Sequence, residues 1–306
     1  MVGKSNAVLL IIALASLLLM GQTGCNLESQ QGTPQGTTTG QQYQSTSASS
    51  QGVDFSFLPG IGFLTEGVSI NQGDTFKVGM HIENYDSKPK SGQVCIKDNL
   101  EDSYGGVPNT CQNPSPFYVR EATMENGKVT QSSKTDVYFP ESAQDYSYHD
   151  MPINQQAQLS ATLQYAESSR IVQGVTIPGS QSETLSLSQN PAPISLAIQK
   201  TVSTQGSNYN TAFKITLSNQ VSSSEIWTSD FKKKGLMMEI ALDSAPITCT
   251  SIQNGYVDIE TSSKDIICSA LVPQGSDNIH FLTINLDYAV KLNKAFSYTI
   301  QKGAAA

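Results

Sequence analysis

The sequence predicts an all-β fold of two tandem β-sandwich modules on three observations. Apolar residues recur at every second position in short runs parted by Gly, Pro, Asn and Ser. Two strand patterns occur twice in the same order. Each copy carries one pair of cysteines. Short alternating runs between turn-forming clusters are the signal of strands, and helical patterning is nearly absent.

The first repeated strand lies at residues 75–83, with Phe76, Val78, Met80 and Ile82 on one face and Lys77, His81 and Glu83 on the other. Residues 211–219 repeat it with Phe213, Ile215 and Leu217 inward. Both runs end in an asparagine, Asn84 and Asn219, a residue suited to the following turn. The second repeat is tighter: Leu159-Ser-Ala-Thr-Leu163-Gln-Tyr165-Ala166 matches Leu282-Thr-Ile-Asn-Leu286-Asp-Tyr288-Ala289 without a gap, 123 residues later. Ten residues beyond each Tyr a further strand is expected, at residues 175–177 and 298–300. The earlier pair stands 135 residues apart, so the copies differ in the length of their middle sections. A duplicated domain follows, with modules at residues 53–189 and 190–303. Pro191 and Pro193 mark the junction, because proline stops strand pairing and stiffens the connection.

Ahead of the modules, Lys4 precedes an uncharged run from Ala7 to Met20, and small residues follow as far as Gly24. A basic start, a short apolar stretch and a small-residue zone describe an export signal at residues 1–24. Fourteen residues of helix reach roughly 21 Å, short of a hydrocarbon core of about 30 Å; an uncleaved anchor stretched to Gly24 is the alternative. Residues 25–52 are rich in Gln, Gly, Ser and Thr with nothing periodic to bury, and are expected to be a disordered linker. As a flexible coil the linker would span about 28 Å, enough for a stalk.

Five cysteines leave one over once thiols pair in an oxidising compartment. Cys25 stands apart beside the leader, so the local pairs Cys95–Cys111 and Cys249–Cys268 are expected, one per module. In the chain-entropy account each contributes roughly 3 kcal/mol. A zinc site would need CxxC spacing or a nearby histidine, and neither is present.

Charged residues are only 14% of the chain, and its formal net charge is −8 with a pI near 4.9. Phosphate binding needs a basic field, and the single basic run is Lys232-Lys233-Lys234, so no nucleic-acid partner is expected. The sequence contains no GxSxG elbow, HExxH, P-loop or dinucleotide fingerprint. His81 and His280 fall on strands. His149, between Asp145 and Asp150, stands too far from Asp145 along an extended chain to share a metal with it. The acidic stretch at residues 98–102 lacks the spacing and glycine of a calcium loop and reads as a solvated turn. No enzyme, cofactor or metal is expected.

Binding by a sandwich resides in end loops rich in Tyr, Asn and Ser. Two such loops stand out. One is closed by the first cysteine pair and carries Tyr104 and Asn109; the other, residues 140–156, carries Tyr146, Tyr148 and His149. The apolar stretch at residues 55–64 reads as a first strand entering the core, broken by Pro59-Gly60, or else as a surface for a partner or membrane. Trp227, the only tryptophan, is expected to cap the core of the second module.

Two resemblances complete the reading. Gln22-Thr23-Gly24-Cys25 resembles the lipobox of prokaryotic lipoproteins, although Gln22 replaces the usual aliphatic residue; it implies lipidation of Cys25, with a free thiol as the alternative. The paired polar-faced sandwiches and their strands ending in Asn resemble the immunoglobulin-like repeats of prokaryotic surface proteins, in particular the cell-adhesion-related domain of bacteria and archaea. That resemblance implies adhesion or display: a membrane-anchored surface protein with a protein or glycan partner. A glycan-presenting accessory module, or a hydrolase with a dispersed site, is the alternative.

Overall fold

Alternation in the sequence becomes strand throughout, with one 3-10 turn at Asp102–Tyr104 as the only helical element among the described residues. The computed structural model describes residues 52–303, except 127, 142–143, 188–192, 222, 244, 260–262 and 276–277. The export signal, Cys25, the linker as far as residue 51 and most of the proline-rich junction lie outside the described residues.

In chain order the first half contains β1 (Val53–Phe57), β2 (Ser69–Asn71), β3 (Thr75–Phe76), β4 (Val78–Asn84), β5 (Lys90–Lys97), β6 (Ser115–Val119), β7 (Thr123–Glu125), β8 (Lys128–Gln131), β9 (Ser133–Phe139), β10 (Tyr146–Ser147) and β11 (Gln155–Thr176). The second contains β12 (Ser182–Leu185), β13 (Ile194–Gln205), β14 (Asn208–Asn219), β15 (Ser224–Trp227), β16 (Leu236–Leu242), β17 (Ala245–Pro246), β18 (Thr248–Cys249), β19 (Tyr256–Val257), β20 (Ser263–Pro273) and β21 (Ile279–Gln301). Three sheets carry the core. They are β1-β4-β9, β12-β13-β14-β20-β18, and a nine-stranded sheet whose spine runs β17-β16-β21-β11-β5-β6. Their inward residues form one contiguous hydrophobic cluster. Phe76 is buried on β3 and Val78, Met80 and Ile82 on β4, as are Phe213, Ile215 and Leu217 on β14. Both terminal asparagines close the expected turn. Asn84 Oδ1 accepts from Asp86 N and its Nδ2 donates to Lys88 O; Asn219 Oδ1 accepts from Val221 N and its Nδ2 donates to Ser224 O.

The organising feature is the pair β11 and β21. Every one of the 22 residues of β11 is matched antiparallel to β21, a ladder of roughly 70 Å. Ala166 stands opposite Ala289, and these are the same position of the repeated motif. A local two-fold axis therefore passes between them and relates the halves. Each long strand serves both halves. On β21, Leu282, Ile284, Leu286 and Tyr288 are buried beside β16 in the second half. Farther along the same strand, Phe296 meets Phe57 edge-on at 4.6 Å between ring centroids, and Lys294 reaches Asp54 at 2.9 Å.

The expected boundary at residues 189 and 190 parts the repeats in sequence, but a sheet crosses it, and the described residues fall in one compact unit. The separate strands expected at residues 159–166 and 175–177 are likewise one uninterrupted strand.

Cys95–Cys111 and Cys249–Cys268 are bonded as expected, yet they are not related by the two-fold. Cys95 lies on β5, opposite Thr162 of β11. Cys268 lies on the inner face of β20 and pairs across to Cys249. One pair per half is thus not a trace of the duplication. Trp227 also departs from expectation. Ile226 turns inward opposite Val290, so period-two alternation sends Trp227 to the outer face, under the Lys291 ammonium at 3.8 Å.

Beside the axis the halves differ in chemistry. Asp86, Lys90 and Glu167 are each at most 5% exposed, and Lys90 bonds both carboxylates. Burial pushes the Glu167 carboxyl up, although Lys90 opposes the shift. The positions matching these three in the second half hold Val221, Ile226 and Val290, all buried.

Candidate binding site

Three long connections distinguish the first half. They span residues 58–77, 98–114 and 140–154; the matching connections of the second half are 206–207, 243–244 and 274–278. The long ones meet at a single end of the molecule. Tyr146 of β10 pairs with Phe76 of β3, Gly73 N donates to Tyr148 O, and His149 N donates to Tyr104 O. Gly105 and Gly106 take positive φ, and a Cβ on Gly106 would lie 2.0 Å from the Tyr148 ring. Only glycine allows the first loop to lie so close against the second.

Tyr148 is the hub rather than a contact residue. It is fully buried, its ring stacks on Phe76, and its hydroxyl donates to Asp98 Oδ2. Tyr298, arriving on β21, donates to the same oxygen at 3.2 Å. Burial pushes the Asp98 carboxyl up, against the pull of these hydroxyls and of Leu100 N. Burial and the neighbouring Asp98 charge hold both tyrosines well above the ordinary phenol range. The acidic stretch is therefore not a solvated turn at its first residue. Asp98 is 5% exposed, and the side chains of Asn99 and Asp102 accept main-chain hydrogens of Gln158 and Asn109.

The structure brings both predicted loops together and sorts their residues. Asn109 and His149 are exposed, Tyr104 and Tyr146 half-buried, and Tyr148 is withdrawn into the core. His149 Nδ1 lies 3.0 Å from Asp150, and Asp145 pairs instead with Lys77 at 3.5 Å. His81 meets Asp136 at 2.7 Å, and His280 meets Asp243. Among the described residues no group of three or more His, Cys, Asp and Glu side chains is placed to hold a metal ion.

The third loop was not assigned to this end from sequence. Residues 55–64 follow the core reading at Phe55 and Leu64, both buried, but Ile61 at the loop tip is fully exposed between Gly60 and Gly62. Phe63 folds back against Tyr138 with ring centroids 5.9 Å apart. The run Pro59-Gly60-Ile61-Gly62 carried the signal: two glycines around an apolar residue mark a turn tip, not a strand. No protein-family model matches the chain, and no curated protein matches it either.

Proposed function

We propose that this chain is an exported, membrane-tethered surface protein whose folded unit presents the elaborated end of its first half to a partner. One observation carries the interaction role: three long loops converge at one end, while their two-fold counterparts are short turns. A repeat that has kept extra loops at one end only, fixed on a buried tyrosine hub, has the form of a binding surface on a rigid support. Two disulfides fit an oxidising compartment. The leader, the lipobox-like Cys25 and the polar linker support tethering, and the resemblance to adhesion-related surface repeats supports the role.

The test has two arms. Intact mass of the membrane fraction, before and after reduction, should show cleavage before Cys25, added lipid and two disulfides. Attachment to envelope or host-cell material should fall at least fivefold in the double variant Asn109→Ala/His149→Ala, with melting unchanged, because both side chains are exposed. An unlipidated cytosolic product with reduced thiols defeats the tethering, and unchanged attachment defeats the site. Deleting residues 140–156 is not a clean alternative, since it removes Tyr148 from the core.

A further inference from the structure

The two-fold axis allows the outer faces of the two halves to be compared row by row, and one row differs in a way that points to a ligand. In the first half, Cys95, Thr162 and Asn293 lie side by side across β5, β11 and β21. That row is closed on itself: Thr162 Oγ1 donates to Asn293 Oδ1 at 2.7 Å, and Cys95 is tied to Cys111. The matching row in the second half is Arg170, Asn285 and Glu239, across β11, β21 and β16. All three are exposed, and their side chains have no hydrogen-bond partner among the described residues. They line a groove of about 1090 Å³, with Met237 and Ile252 among its walls.

We infer that this groove binds a neutral oligosaccharide. A guanidinium, an amide and a carboxylate are each planar groups with two adjacent hydrogen-bonding atoms, the geometry that pairs with neighbouring hydroxyls on a sugar ring. Strand spacing sets neighbouring members about 4.8 Å apart, and no ion pair joins Arg170 to Glu239 among the described residues. Donors at one end and acceptors at the other suit a polyhydroxylated chain lying across the strands. Lys88 and Arg170 balance Glu239 and Asp287 in the lining, so the groove carries no net charge on a chain of net charge −8, which disfavours an anionic ligand. Met237 and Ile252 supply the apolar contact that sugar-ring C–H faces require, in the usual mixture of apolar walls and few polar groups. The site is on the opposite half from the loop surface proposed above and does not depend on it or on the anchor.

The experiment is titration of the full chain with cellohexaose, maltohexaose and chitohexaose, followed by calorimetry, with hexagalacturonate as the anionic comparison. At least one neutral hexaose should bind with a Kd below about 1 mM. Its affinity should fall at least tenfold in Asn285→Ala and in Arg170→Ala and stay unchanged in Thr162→Ala, the two-fold counterpart of Asn285. Glu239→Gln, which preserves shape, should weaken binding with no change in melting temperature. Absence of binding by all three neutral sugars, tighter binding of the galacturonate, or affinity indifferent to Asn285→Ala each overturns the proposal. None of these results bears on the lipid anchor or on the loop variants.

Discussion

Lys90 is 3% exposed and holds two buried carboxylates, Asp86 and Glu167, where the second half packs Ile226 between Val221 and Val290. The molecule thus contains its own comparison between a buried ionic cluster and an apolar one at the same structural position. Desolvating charges offsets most of their attraction, so exchanging the whole cluster for fitted apolar groups is neutral or favourable, whereas removing one member strands a charge. Asp86→Val/Lys90→Ile/Glu167→Val should therefore match or exceed the parent in stability. Lys90→Ile alone should lose about 3–5 kcal/mol, both measured by denaturant unfolding. The pH dependence has a definite sign. Burial raises the Glu167 carboxyl above its ordinary range, so the folded chain holds that proton more tightly than the unfolded one. The resulting stability is complete below the unfolded value and is lost as pH climbs to the raised native value. Glu167→Gln removes that loss while Asp86 still pairs Lys90. The variant's melting temperature relative to the parent should then rise as pH climbs above the ordinary carboxylate range, and a flat difference would count against the assignment. The cluster escaped a reading of single strands because charge looks outward by default. Aligning the repeats would have exposed it, since Lys90 and Glu167 fall where the second copy has Ile226 and Val290.

At the scale of elements, the sequence disclosed what period-two alternation records and little else. The inward faces of β4 and β14 and the turn role of both asparagines were legible because each is a local property. The length of β11 was not. Between Glu167 and Gly174 its side chains alternate only between exposed and half-buried, because the strand there passes from one half to the other, and a run without an apolar stripe reads as a connection. Trp227 misled for a related reason: an aromatic residue suggests core, yet its neighbour Ile226 already fills the inward position. The asparagine turns give a prediction at this scale. Asn84 is fully buried and also donates to Arg120 O at 2.7 Å, whereas the half-buried Asn219 takes its third bond from the Ser224 hydroxyl at 3.1 Å and leaves no buried main-chain carbonyl dependent on it in that place. A buried carbonyl left without its donor costs about 1–3 kcal/mol. Asn84→Ala should accordingly lose more stability than Asn219→Ala, by at least about 1 kcal/mol in chemical denaturation; equal losses would show that the two turns are energetically alike.

For the whole molecule, the duplication was legible but the way the copies join was not. Repeats reveal themselves by self-similarity, while the choice of pairing partner is absent from any one strand's pattern. Two sandwiches in tandem and two sandwiches sharing a sheet have the same alternation. The shared sheet has a consequence that tandem modules lack. Residues 52–189 alone would lose Phe296, Tyr298 and Ile300 from their core, together with one of the two hydroxyls on Asp98. They would also expose the edge of β11 along its whole ladder, and such an edge invites association. Residues 190–303 alone would lose the β11 partner of Leu282–Ala289 and, with Thr176, the carbonyl that the fully buried Lys200 ammonium donates to at 2.7 Å. Neither fragment should therefore unfold as an independent cooperative unit. The intact chain should show one calorimetric transition with equal calorimetric and van't Hoff enthalpies, and the two fragments mixed at equimolar ratio should recover β-sheet circular dichroism that neither has alone. Two separate transitions in the intact chain, or a sharp one in either fragment, would mean that each repeat closes its own core and that the β11–β21 ladder is an accessory contact between finished domains.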